Sequence, residues 1–111
     1  MQNPETWRRF RDEIQPGLKV ADYDFLNGLR ERGYDFSFAV DVPDRRFEKP
    51  TLMLLGRQDS SVGYKDAWNI LENYPRATFA VLDKAGHNLQ IEQPGLFEAL
   101  VKEWLERVER D

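Results

Sequence analysis

The sequence contains no cysteine and only a single histidine among its 111 residues. Without cysteine there is neither a disulfide framework nor a thiolate metal site, and one imidazole is too few for an ordinary zinc site. We therefore expect no metal and no cofactor. The lack of cysteine also fits a reducing compartment such as the cytoplasm.

Long apolar runs and an excess of positive charge are also missing. The longest apolar run, residues 52–55, is far shorter than the roughly 20 residues that span a bilayer. Residues 1–9 contain no apolar signal region. The net charge is −4 and there is no basic stripe, which argues against nucleic acid as a partner. We expect a soluble, cytoplasmic protein that binds neither membranes nor nucleic acid.

The composition is that of a folded domain. Hydrophobic residues make up 41% of the chain and aromatic residues 13%, which is enough for a packed core, while charged residues make up 32% and keep the surface solvated. A disordered chain has a lower apolar share. The pattern changes at Lys49-Pro50. We therefore predict one segment over residues 1–48 and a second over residues 49–111.

The first segment is helical and then extended. The spacing of its apolar side chains predicts a helix that begins at Pro4 and is ended by Pro16-Gly17. A second helix follows and ends at Gly33. Apolar residues then alternate with polar ones over residues 34–42, which indicates either a strand or an extended connector.

The second segment has the order strand–helix–strand–helix, which predicts an α/β fold with two parallel βα units. Short apolar runs over residues 51–55 and 78–82 are typical of parallel strands that are covered on both faces. A helical stripe over residues 64–74 lies between them and is stopped by Pro75. The last helix opens at Pro94 and carries an apolar face.

Candidate chemistry lies beyond the carboxyl ends of these strands, where ligands and catalytic groups collect in such sheets. Asp59 follows the first strand and His87 follows the second, 28 positions later. Because parallel neighbouring strands open both loops on the same side, we expect the two side chains to meet. A carboxylate that accepts the proton of one imidazole nitrogen fixes the tautomer and frees the other nitrogen to act as a general base.

Each residue taken singly has a simpler interpretation. An aspartate in a glycine-containing loop is commonly a turn former or a helix cap, and a lone histidine is commonly an ordinary surface or core residue. The joint position of Asp59 and His87 past two adjoining strands favours the acid–base pair. We take these two as the candidate catalytic residues.

The stretch from Pro50 to Glu106 resembles the last two βα units of the α/β-hydrolases. Residues 50–59, PTLMLLGRQD, resemble the acid strand and turn of that family. Residues 85–88, AGHN, with residues 92–94, EQP, resemble its histidine loop and the start of its last helix. The order of acid before histidine is also that of the family.

The resemblance implies a partial α/β-hydrolase sheet, with two parallel βα units preceded by a helical segment similar to the family's cap. It implies that Asp59 is the acid and His87 the general base of a Ser/Asp-His-Asp triad. In the complete enzyme the substrate would be a small molecule: an ester, an amide, an epoxide, a haloalkane or a carbon–carbon bond beside a ketone.

The nucleophile of that family is missing from the sequence. It sits on a Gly-x-Ser-x-Gly turn, and the nearest approach is residues 59–63, DSSVG, where the candidate acid replaces the first glycine. For Ser60 and Ser61 we expect hydrogen bonding in the turn or capping of the helix at Tyr64. No oxyanion segment of the His-Gly-Gly type is present.

The sequence thus predicts a C-terminal fragment of an α/β-hydrolase that is inactive alone. The alternatives are an independent small α/β binding protein and one half of a split hydrolase. Two strands leave an open sheet edge, and a two-stranded sheet is marginal by itself. We therefore expect the isolated chain to form a homodimer.

Overall fold

The computed structural model describes residues 3–34, 36–37 and 46–111. The chain divides into two compact units, Gln2–Val42 and Pro43–Asp111. None of the described helices is long and apolar enough to cross a membrane. The α-helices and strands, in chain order, are α1 Pro4–Arg9, α2 Gln15–Lys19, α3 Tyr23–Arg32, β1 Thr51–Gly56, α4 Tyr64–Asn69, β2 Ala77–Leu82, α5 Leu89–Glu92 and α6 Pro94–Glu109.

The first unit begins with a helix that runs further than the sequence predicts. The side chain of Asn3 caps α1 by accepting the N–H of Thr6 at 2.9 Å. Phe10–Ile14 form a π-helix between α1 and α2. The predicted stop at Pro16-Gly17 is wrong, because Pro16 falls in the first turn of α2. The N–H that proline lacks has no necessary partner at that position, so the helical path continues.

Helix α3 has a clear start and a clear end. The side chain of Asp22 accepts the N–H of Phe25 at 2.9 Å and so satisfies one of the free donors of the first turn. The helix ends at Gly33, whose φ of 84° lies in the left-handed region that glycine adopts without strain. The predicted end of this helix is confirmed.

The alternating pattern over residues 34–42 is described only in part. Tyr34, Phe36 and Ser37 lie outside any helix or strand. Residues 35 and 38–42 lie outside the described residues. For the three residues that the structure describes, the extended connector therefore fits and the strand does not.

The second unit is built on β1 and β2, which pair in parallel as the sequence predicts. The register runs from Thr51 opposite Ala77 to Gly56 opposite Leu82. In the chain, α4 and a 3-10 turn at Leu71–Asn73 lie between the two strands. This order is the predicted α/β arrangement.

Helix α6 begins at Pro94, as predicted, and fastens the amino ends of both strands. The indole N–H of Trp104 donates to the carbonyl of Pro50 at 2.9 Å. The guanidinium of Arg107 donates to the carbonyls of Thr51 at 3.3 Å and Arg76 at 3.0 Å, and to the hydroxyl of Thr78 at 2.9 Å. These bonds from α6 are at the amino ends of the strands. The candidate site lies at the opposite, carboxyl ends.

The core of the second unit is thin. Among the described residues, the buried hydrophobic side chains are Leu82, Ala85 and Ile91. All three lie between the end of β2 and α5, so the best-packed region is the one that carries His87. Both strands are only half-buried along most of their length. The sheet therefore keeps apolar surface that its own helices do not cover.

Candidate active site

The two candidate loops are bound to each other through the main chain. Beyond the ends of the strands, the N–H of Arg57 donates to the carbonyl of Leu82 at 2.9 Å. One residue later, the N–H of Gln58 donates to the carbonyl of Ala85, also at 2.9 Å. The parallel pairing thus continues into the loops. It sets the distance at which the next side chain, Asp59, can meet the histidine loop.

Asp59 and His87 are in direct contact. His87 Nδ1 lies 3.1 Å from Asp59 Oδ2. The other carboxylate oxygen, Oδ1, accepts the backbone N–H of Ser61 at 2.8 Å and that of Val62 at 3.0 Å. The side chain of Asp59 is 9% exposed, whereas that of His87 is 64% exposed. A fixed and covered carboxylate therefore holds an imidazole that is open to solvent.

Asp59 is held in its ionised form. The backbone N–H groups of Val62 and Ser61 lower the pKa of its carboxyl group, the hydrogen bond with His87 lowers it further, and burial opposes them. An ionised carboxylate can only accept hydrogen bonds, so Nδ1 of the neutral imidazole must carry the proton. Nε2 is then left with a lone pair, which is the state that a general base requires.

The close approach of the two loops requires glycine at position 56. A Cβ atom at Gly56 would lie 2.4 Å from the carbonyl oxygen of Gly86 and 2.6 Å from that of Ala85. Both distances are shorter than any real contact of a Cβ atom. The last residue of β1 therefore has to be a glycine, without a side chain, for the histidine loop to pack against it.

Three side chains that hold the histidine loop were not predicted from the sequence. Glu92 Oε2 accepts the N–H of Gly86 at 2.6 Å, and Gln93 Nε2 donates to the carbonyl of Asp83 at 2.7 Å. Gln58 reaches the same loop from the acid side. Hydrogen bonds from side chains to main-chain atoms require no regular spacing of residue types, so a sequence pattern does not reveal them. The one available signal for Gln58 was its place directly before the candidate acid.

The serines of the acid loop do not cap α4. The N-cap of that helix is Gly63, and no side chain hydrogen-bonds to the first turn from that position. The expectation that Ser60 or Ser61 caps the helix is therefore wrong. Ser61 instead contributes its backbone N–H to Asp59. The backbone N–H of Val62 donates to the same carboxylate oxygen.

Across the described ranges, no three side chains of histidine, aspartate or glutamate converge as a metal site would require. The expectation of no metal and no cofactor stays a prediction. The polar groups that do meet at the strand ends are a carboxylate and an imidazole, which is an arrangement suited to proton transfer.

Known proteins that resemble this chain are hydrolases. The chain is 26% identical over 97 residues to the 2-hydroxymuconate semialdehyde hydrolase of Pseudomonas sp. (strain CF600), and equally to that of Pseudomonas putida. Each match covers 87% of this chain and 34% of the relative. A solved structure, the α/β superfamily hydrolase of Oenococcus oeni PSU-1, matches with a TM-score of 0.88 and 25% identity. That match covers 97% of this chain and 40% of the other. No protein-family model matches the chain.

These similarities support the relationship to the α/β-hydrolase family that the residues predict. The predicted fold class is confirmed too, since two parallel strands with their helices match a hydrolase over nearly the whole chain. The chain spans only 34% of the length of its curated relatives, so it corresponds to a part of that fold.

Proposed function

We propose that this chain is the C-terminal part of an α/β-hydrolase, with Asp59 as the acid and His87 as the general base of its catalytic triad. The observation that supports this most strongly is the 3.1 Å contact between an anchored carboxylate and an exposed imidazole at the ends of adjoining parallel strands. The order of acid before histidine, and the hydrolase names of the relatives, agree with it.

In this proposal the two residues divide the proton chemistry. Asp59 accepts the Nδ1 proton of His87 and keeps the ring in one orientation. Nε2 then removes the proton of a nucleophile, either a serine hydroxyl or, where the family's nucleophile is an aspartate, a water molecule. The imidazolium that forms is stabilised by the carboxylate beside it, and it later returns the proton to the leaving group.

In this proposal the nucleophile comes from outside these 111 residues, which contain no Gly-x-Ser-x-Gly turn. An acid–base pair without a nucleophile and an oxyanion hole lacks the largest contributions to acyl-transfer catalysis. We therefore propose that the chain alone is inactive. We further propose that the complete protein hydrolyses a small molecule, as the names of the curated relatives state for them.

Inactivity of the chain alone is tested with p-nitrophenyl acetate. The purified chain and its His87→Ala variant should release p-nitrophenol at the same rate. Turnover by the unaltered chain clearly above that of the variant would contradict the proposal. A companion test is the sequence of the DNA that precedes the Met1 codon in frame. We expect it to encode a strand, the nucleophile turn and a helix.

We also propose that the isolated chain self-associates. An apolar groove of about 310 Å³ lies between β1 and α6 and is lined by Leu52, Leu54, Phe97, Val101 and Trp104. A two-stranded sheet with so few buried side chains leaves this surface in water, which favours pairing with a second copy. Multi-angle light scattering at micromolar concentration should report a dimer, and a stable monomer would contradict self-association.

A further inference from the structure

We infer that Gln58 is a positioning residue, which fixes the histidine loop relative to Asp59 and so keeps His87 in contact with its carboxylate. This inference rests on the proposed function, since it assigns Gln58 a part in the same acid–base pair. The side chain of Gln58 makes no described hydrogen bond to Asp59 or His87. It acts through the loop that carries His87.

The geometry is a three-point attachment of Gln58 to the histidine loop. Its side-chain Nε2 donates to Asp83 Oδ1 at 2.7 Å. Its side-chain Oε1 accepts the N–H of Ala85 at 3.1 Å. Its own N–H donates to the carbonyl of Ala85 at 2.9 Å. Only one orientation of the amide satisfies both side-chain bonds, because a carboxylate cannot donate and a backbone N–H cannot accept.

The loop that Gln58 holds needs outside support. Lys84, between the two attachment points, has a φ of 55°, a left-handed conformation that is strained for any residue with a side chain. The hydrogen bond from Gln58, together with the backbone N–H of Lys84, lowers the pKa of the Asp83 carboxyl group, while burial opposes them. Gln58 thus holds the turn after β2 on both sides of Lys84, at Asp83 and at Ala85.

The residues that Gln58 connects lie close in sequence to the acid–base pair. Gln58 directly precedes Asp59, and Ala85 lies two residues before His87. Ala85 is fully buried, so the loop cannot shift at that point without disturbing the core. Any displacement of Gln58 relative to Ala85 therefore changes the 3.1 Å distance between Asp59 Oδ2 and His87 Nδ1.

The test reads the tautomer of His87, which is the single histidine of the chain and so gives an unambiguous ring spectrum. At mildly alkaline pH, ¹⁵N shifts of the ring nitrogens report the ratio of the Nδ1–H to the Nε2–H form. Gln58→Glu replaces the donor to Asp83 with a like charge. We expect it to lower that ratio roughly tenfold, as loss of a hydrogen bond to a charged group does.

A rescue distinguishes positioning from general damage. In the double variant Gln58→Glu with Asp83→Asn, the new amide donates to the new carboxylate while the N–H of Ala85 still finds its acceptor. The ratio should return to that of the unaltered chain. If Gln58→Glu does not fold, Gln58→Met removes both side-chain bonds, the one to Asp83 and the one from Ala85, without added charge and should lower the ratio likewise.

Three outcomes would count against the inference. If Asp59→Ala lowers the ratio but Gln58→Glu and Gln58→Met do not, the pair exists and Gln58 does not position it. If Asp59→Ala leaves the ratio unchanged, the acid–base pair itself fails and the role of Gln58 fails with it. A lowered ratio in Gln58→Glu that the double variant does not restore would also count against positioning by this hydrogen bond.

Discussion

Replacing Gly56 with alanine adds one methyl group where the acid loop and the histidine loop meet. The new Cβ atom would lie 2.4 Å from the carbonyl oxygen of Gly86, whereas real Cβ atoms stay at least 3.0 Å away, so the loop must retreat by about 0.6 Å. His87 follows Gly86 directly. The same displacement would lengthen its 3.1 Å contact with Asp59 to about 3.7 Å, beyond hydrogen-bonding range.

The energetic effect of Gly56→Ala follows from the same geometry. The atoms in the way are backbone, which cannot turn aside as a flexible side chain does. Overpacking of this kind destabilises a protein by about 1–3 kcal/mol. For a domain of this size, each kcal/mol lowers the melting temperature by roughly 4–8 °C. We therefore expect a drop of several degrees together with loss of the Nδ1–H tautomer of His87.

The assay is thermal unfolding by circular dichroism, combined with the ¹⁵N ring spectrum of His87. Gly95→Ala is the matched control, because Gly95 lies in α6 and a Cβ atom there meets nothing within 4 Å. Because Gly95 is the second residue of α6 and not part of the helix interior, alanine there should change stability by less than about 0.5 kcal/mol. A Gly56→Ala variant that melts no lower than the unaltered chain, with the His87 tautomer intact, would refute the reasoning.

Asp59→Asn should reverse the tautomer of His87: the backbone N–H groups of Ser61 and Val62 hold the amide oxygen, so the amide nitrogen faces Nδ1 and donates to it. The ¹⁵N ring shifts measure this, and an unchanged Nδ1–H form would count against it. The lowered pKa of Asp59 adds stability above the unfolded carboxyl pKa of about 3.9, and that stability is lost as the pH falls through the lower native pKa. The difference in melting temperature between the unaltered chain and Asp59→Asn should therefore shrink in acid, and a gap that stays constant down to about pH 2 would be the contrary result. Arg107→Met removes three hydrogen bonds to the amino ends of the strands and should cost roughly 2–4 kcal/mol in urea unfolding. Arg110→Met is its control, since that side chain is 79% exposed and should change stability by less than about 0.5 kcal/mol.

The strands were predictable because their apolar runs are short, continuous and bounded by turn residues, and the parallel pairing follows from the helix between them. The meeting of Asp59 and His87 was predictable for the same reason, since parallel neighbours open their loops on one side. The helix stop predicted at Pro16 is wrong because proline breaks a helix only in its interior and is tolerated in a first turn. The sequence alone does not reveal the π-helix that precedes it.

The supports of the site were beyond the reach of sequence patterns. Gln58 contacts a loop 25 and 27 positions away, through bonds that depend on how two turns lie side by side. The carboxylate of Asp59 accepts the backbone N–H groups of Ser61 and Val62, and α4 has Gly63 at its N-cap, without a side-chain cap. Hydrogen bonds between a side chain and a distant main chain are set by packing, and no residue spacing encodes them.

The most direct test of the proposed triad roles is hydrolysis by the proposed complete protein, expressed from the in-frame sequence that we expect to precede this chain. The unaltered protein, His87→Ala and Asp59→Asn are compared by kcat/KM on ester substrates, with Arg110→Met as the exposed control. With His87 as general base and Asp59 as its partner, both variants should lose at least about 10⁴-fold in kcat/KM, and His87→Ala more than Asp59→Asn, while the control keeps full activity. A His87→Ala enzyme within about tenfold of the unaltered one would contradict the assignment.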